Sequence, residues 1–178
     1  MILKNAPHPY PELYEAYRFD EPWDGPNNSR LATRIGDYYR RQGLDAEGSD
    51  ETSFVAVLGP ETAWPGIECR SRSDLRDGAD RTILVVEMAS SGVPWMKPED
   101  LHLDRMNFGV NDGSRRGSGS KISGARALLG TGHVLELPDD FAPAVLRAML
   151  TIAGGEPVPA DPGKLGAKFI DAPPTPVH

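Results

Sequence analysis

Apolar and polar positions along this chain change over in short bursts, with few long helical stripes. The purely aliphatic run Ile83-Leu84-Val85-Val86 lies inside residues 82–88 and is followed by Glu87. Successive apolar positions with branched side chains predict a central strand covered on both faces. Residues 53–58 (Ser-Phe-Val-Ala-Val-Leu) read as a second strand that Gly59-Pro60 stops. Residues 126–129 and 133–137 flank Gly130-Thr131-Gly132, which predicts a hairpin with glycine at the positive-φ positions. Asp77-Gly78 marks a further turn.

Three segments carry helical spacing. Residues 11–17 start on Pro11, suited to a first turn, and place Leu13 and Tyr17 on one face. Residues 29–41 follow Asn27 and Asn28, either of which can cap a helix, with Leu31, Ile35 and Tyr38 or Tyr39 as the apolar stripe. In the third, Asp139 or Asp140 opens the helix, Pro143 enters the first turn and Val145, Leu146, Met149 and Leu150 form the buried face. Gly154-Gly155 is expected to end it. Residues 89–125 read as irregular. The fold class that follows is α+β, a small antiparallel sheet with two or three short helices packed on it and many irregular loops. The expected organisation is a flexible stretch over 1–9, one globular head over 10–156, and a Pro-rich, disordered tail over 157–178.

Composition narrows the function. With 178 residues the chain fits one domain plus loose ends, and Gly 19 and Pro 17 favour short elements. A formal net charge of -7 argues against nucleic acid and anionic lipid, both of which bind through cationic side chains. Cys69 is the one cysteine, so no internal disulfide forms, and His8, His102, His133 and His178 lie too far apart for a metal-ligand spacing. The first residues lack the apolar stretch of a signal peptide, and no run reaches the ~20 apolar residues of a membrane span. The expectation is a chain that is soluble as written, with no membrane insertion.

Candidate chemistry is sparse. Residues 113–121 (Gly-Ser-Arg-Arg-Gly-Ser-Gly-Ser-Lys) superficially suggest a phosphate loop, but Ser120 separates the last glycine from Lys121, and Ile122 stands where Ser or Thr is needed. A flexible surface loop is the reading favoured. Asp74, Asp77 and Asp80, and then Glu99, Asp100 and Asp104, form two acidic groups without the order of a calcium loop. They read as solvated turns, with weak calcium binding as the other possibility and no other cofactor expected. Glu87 ends an apolar strand, so it is expected to be a buried structural carboxylate with a partner, the catalytic-acid reading being the lesser one. Trp23, Trp64 and Trp95 each lie beside proline in a loop, and serve either as anchors folded onto the sheet, the favoured reading, or as a contact surface.

Several phrases carry a resemblance. Residues 17–28 (Tyr-Arg-Phe-Asp-Glu-Pro-Trp-Asp-Gly-Pro-Asn-Asn), 53–60 with 62–66, 82–87 with 91–95, and 146–156 follow one another in an order that resembles a large planctomycete family of prepilin-like proteins of unknown function. The resemblance implies the globular head of a type IV pilin-like protein, with a structural or secretory role as a pseudopilin or cell-surface component in the cell envelope or exported, and no catalysis. Three departures stand out. The long N-terminal apolar helix of that family has no counterpart in residues 1–9, and its cysteine after the second helix is replaced by Tyr39-Arg40-Arg41-Gln42. Its signature of His, nine residues, then Asp-Gly is degenerate here, with Lys121 at the His position, Thr131 at the Asp position and Gly132 retained. The reading reached is a non-enzymatic head domain acting through protein partners or self-association. The alternative is a binding module for calcium or a small polar ligand, through the acidic and Trp-bearing loops.

Overall fold

The computed structural model describes residues 11–34, 39–41, 48–114, 116–159 and 161–170. The chain divides into two compact units, residues 1–53 with 92–99, and residues 54–91 with 100–178. Residues 92–99 return to pair with 50–52, through Thr52 N–H to Val93 O at 2.9 Å and Trp95 N–H to Asp50 O at 2.8 Å.

In the first unit, α1 (Pro11–Ala16) buries Leu13 and packs on a 3-10 helix, Asn28–Arg34, that buries Leu31. The α-helix expected over 29–41 is therefore corrected at its start, while Ile35 and Tyr38 lie outside the described residues. Asn28 does not act as a simple cap. Its fully buried amide accepts from Arg18 N–H at 2.8 Å and donates to the carbonyls of Arg18 and Pro22 at 2.8 and 3.0 Å. The Glu21 carboxylate closes the same loop by accepting from the backbone N–H groups of Asn27 and Asn28. A loop of turn formers becomes one knot of hydrogen bonds, with a buried polar side chain satisfied as burial demands.

The second unit is an α+β sheet domain. Its strands are β1 (Phe54–Leu58), β2 (Ile83–Glu87), β3 (Leu101–His102), β4 (Ala125–Leu129), β5 (Val134–Leu137) and β6 (Lys168–Ile170), in the order β3-β1-β2-β4-β5-β6. Pairing is antiparallel except between β1 and β3. The period of two puts Val55, Val57, Ala125, Ala127, Leu129, Leu135 and Leu137 on one buried face. Residues Leu146, Met149 and Leu150 of α2 (Pro143–Leu150) join the same core. Each fully buried leucine contributes roughly 1.5–3 kcal/mol.

β2 is interior to the sheet, as its apolar run predicts, but its second face is only partly covered. Leu84 and Val85 are half-buried, and the register shifts between Ile83 and Val85. That bulge turns a strict alternation into an irregular one.

The hairpin from β4 to β5 forms with a division of labour between its glycines. Gly132 takes φ 91, whereas Gly130 is needed for space, because a Cβ there would meet the Ala79 carbonyl oxygen at 3.0 Å. α2 differs from expectation at both ends. Its N-cap is Ala142, with no side-chain capping bond, and it stops at Leu150, where the Thr151 hydroxyl donates to Ala148 O at 2.9 Å. Gly154 and Gly155 lie beyond the helix and donate their N–H groups to the Asp77 carboxylate. Val145 is half-buried, and Ala148 takes the place expected of it.

The disordered tail over 157–178 is also corrected as far as residue 170. Asp161 caps a 3-10 turn, Pro162–Leu165, and Gly166 closes it at φ 73. Lys168–Ile170 then adds to the β5 edge, and Val158 and Ala167 enter the core. Local proline content is outweighed by burial of these small apolar side chains. Residues 171–178 lie outside the described residues, as do 1–9.

Candidate functional site

The most elaborate polar arrangement surrounds the loop between β3 and β4. Asn111 sits at φ 52, in the left-handed region that asparagine tolerates better than most residues. Its side chain Oδ1 accepts from Ser120 N–H at 2.6 Å, and its Nδ2 reaches Asp139 Oδ1 at 2.6 Å, Ile122 O at 3.1 Å and Gly124 O at 3.2 Å. Asp139 Oδ1 also accepts from Gly124 N–H at 2.8 Å. The Gly124 N–H, followed by the Asn111 amide, holds the Asp139 carboxyl below the usual carboxylate range.

Glu87 lies at the far end of β2 and is 2% exposed. Its Oε2 accepts from Arg126 N–H at 2.9 Å, which replaces a strand–strand bond at that point. Its backbone carbonyl takes Gly119 N–H at 2.9 Å and the Ser118 hydroxyl at 3.3 Å. The carboxylate at the strand end therefore ties β4 to β2, while the backbone beneath it holds the glycine-serine loop.

These bonds decide what the loop can do. The N–H groups of Ser114, Arg116, Gly119, Ser120, Ile122 and Gly124 each have an acceptor within the protein. A phosphate cradle needs such donors converging on an empty point, and here they are spent on acceptors in the loop, on β2 and on Asp139. What remains is a hollow of about 660 Å³ lined by Ser90, Ser114 and Ser123 with Lys121 and Asp139. Among the described residues that line it there is neither imidazole nor thiol.

Described residues of this unit also line further hollows. One, of about 650 Å³, sets Arg70, Arg76 and Arg147 against Glu61, Asp74 and Glu156, so its charges balance. Asp74 is held below its usual range by the Ser71 backbone and hydroxyl. Another, of about 490 Å³, is lined by His102 and Phe108, with the Arg147 guanidinium 5.5 Å from the Phe108 ring centre.

The acidic groups read from the sequence do not gather. Asp77 is engaged by Gly154 and Gly155, Asp80 lies 3.7 Å from Arg81, and Glu99 pairs with Lys97. Asp100 accepts from Ala56 N–H at 2.9 Å, and burial pushes its carboxyl up. No three His, Cys, Asp or Glu among the described residues come within reach of a common metal ion.

Each tryptophan has a separate place. The Trp95 indole N–H donates to Ala32 O at 2.8 Å, and its ring lies 5.2 Å from that of Tyr39. The Trp64 indole N–H donates at 2.7 Å to Leu84 O, at the β2 register shift. Trp23 is half-buried. Trp64 is still 42% exposed, and three residues on Ile67 is fully exposed. Lys121 precedes β4 and Thr131 follows it, so the positions that replace the His and Asp of the degenerate motif stand at opposite ends of one strand. Thr131 bonds His133 Nδ1 at 3.1 Å, and Gly132 shapes the turn.

Asn111 is the residue that sequence reasoning missed, while Asn28 and Asp139, expected as helix caps, serve instead as hydrogen-bonding centres of loops. The only signal was Asn-Asp-Gly at 111–113, which reads as a turn without showing that the asparagine amide organises it. No helix among the described residues is long and apolar enough to cross a membrane. The chain matches no protein-family model, no curated protein and no solved structure.

Proposed function

We propose that this chain is a non-enzymatic head domain of the pseudopilin-like kind, associated with the cell envelope or secretion and working through protein contacts. The observation that carries the reading is the loop Trp64-Pro65-Gly66-Ile67. An indole hydrogen bond ties Trp64 to the β2 backbone while leaving its ring 42% exposed, and, three residues on, the loop presents a fully exposed isoleucine. A tryptophan already held in place loses little side-chain entropy when a partner covers it. The polar groups of Glu87, Asn111 and Asp100 are meanwhile committed to bonds within the scaffold. The ordered run of family-like phrases supports the pseudopilin assignment.

The test is Ile67→Asp in native cells. Wild-type chain in cell extract is expected to sediment in complexes larger than the purified chain forms, and the variant to sediment as the purified chain does. A wild-type chain that sediments no faster in extract, or a variant that stays in the large fraction, contradicts the proposal. A second reading, a module for a small polar ligand, draws on the hydroxyl-lined hollow of about 660 Å³. A calcium-specific rise in melting temperature abolished by EDTA would favour its calcium form.

A further inference from the structure

β6 is an edge strand of three residues, and Lys168 and Phe169 on it are exposed. It is held by the β5 ladder, by a 2.8 Å ion pair between Lys168 Nζ and Glu136 Oε1, and by the His133 and Phe169 rings 5.4 Å apart. Upstream, Val158 and Ala167 are buried and Leu165 is partly so, which docks the described residues 158–159 and 161–170 against the rest of the sheet.

The chain before that segment is anchored separately. Ile152 N–H donates to Glu61 O, and Gly154 and Gly155 N–H groups hold the Asp77 carboxylate. Between the two anchorages, residues 156 and 157 are exposed, and the backbone folds back through Val158 N–H to Glu156 O at 2.8 Å. Pro157 and Pro159 favour extended backbone at the residues before them. Straightening this one turn carries the docking unit away from its own sheet without disturbing the Asp77 anchor.

We propose that residues 158–170 exchange between two copies of this chain, each copy's Lys168–Ile170 strand adding to the β5 edge of the other. A second copy is the occupant because the structure shows which segment fits that edge, namely Lys168 against Glu136 and Phe169 against Leu135. Every bond of the closed form is remade across the pair by symmetry, so the cost is confined to the hinge and to association. The assembly is a reciprocal two-fold dimer, formed by a part of the molecule separate from the Ile67 loop.

The experiment uses the full chain with Glu136→Cys and Lys168→Cys in a Cys69→Ser background. Directly opposed antiparallel positions lie within disulfide reach. The protein is unfolded, refolded at low and high concentration, oxidised and run on a non-reducing gel. The expected result is a covalent dimer whose share rises with refolding concentration; covalent monomer alone at every concentration overturns the proposal. Sedimentation velocity on the unmodified chain, refolded in the same way, covers the case of a disulfide that fails to close. Absence of a concentration-dependent dimer there overturns the proposal too, as does a dimer whose disulfides are all intramolecular. Ile67→Asp in the same background is expected to keep the exchanged dimer, so failure of exchange and failure of the Ile67 contact read out separately.

Discussion

Removing the Glu87 carboxylate would strip the Arg126 N–H of its acceptor inside the sheet. An orphaned buried donor costs about 1–3 kcal/mol, which is the loss expected for Glu87→Ala in denaturant titration. An unchanged midpoint would show that water replaces the carboxylate freely. Two aspartates predict opposite responses to pH. Asp139 has a depressed folded-state pKa, so its contribution is present above the ordinary carboxylate value and lost as pH falls through the folded one. Asp139→Asn should therefore be less stable than wild type at neutral pH, with the gap closing below the usual carboxylate range. Asp100 is the reverse case, with burial raising its folded-state pKa and penalising the ionised form. Its contribution is present at low pH and lost as pH rises through that value. Asp100→Asn keeps an oxygen acceptor for Ala56 N–H and should melt higher than wild type at neutral pH, a difference that vanishes on acidification. Thermal melts of both variants across pH decide the signs.

Elements whose own residues carry the pattern were legible in the sequence. β1, β2 and the β4–β5 hairpin follow from alternation and from branched apolar content, and α2 from its apolar spacing. Elements made by partners far along the chain were not. Lys168-Phe169-Ile170 looks unremarkable among prolines, and it becomes a strand only because β5 offers an edge there. Asp139 has the chemistry of a helix cap, yet Gly124 and Asn111, 15 and 28 residues away in sequence, claim its carboxylate first. The same reasoning makes the last described segment structural. A chain ending at residue 157 loses the burial of Val158 and Ala167 and the β6 ladder, a loss of roughly 2–4 kcal/mol by apolar area. Equilibrium unfolding of that truncation beside the full chain tests it, and equal midpoints would mean that the segment docks without stabilising.

For the whole molecule, a net charge of -7 sets the field, and the proposed contact rests on the exposed apolar side chains of Trp64 and Ile67. Hydrogen bonds inside the fold occupy the glycine-serine loop, and that loop is where a phosphate reading would have had to work. The candidate site was legible in part. The tryptophan loops stood out as residues with either an anchoring or a contact role, and Trp64 turns out to be bonded as well as exposed. Ile67 drew no notice, since one isoleucine in a turn-rich stretch has no pattern that foretells full exposure. The most direct measurement replaces Ile67 with a photoreactive amino acid in cells and compares its adducts with those from the exposed position Asp140. A discrete protein adduct from position 67 and none from 140 is the predicted result; no adduct from 67, or the same smear from both positions, contradicts the account.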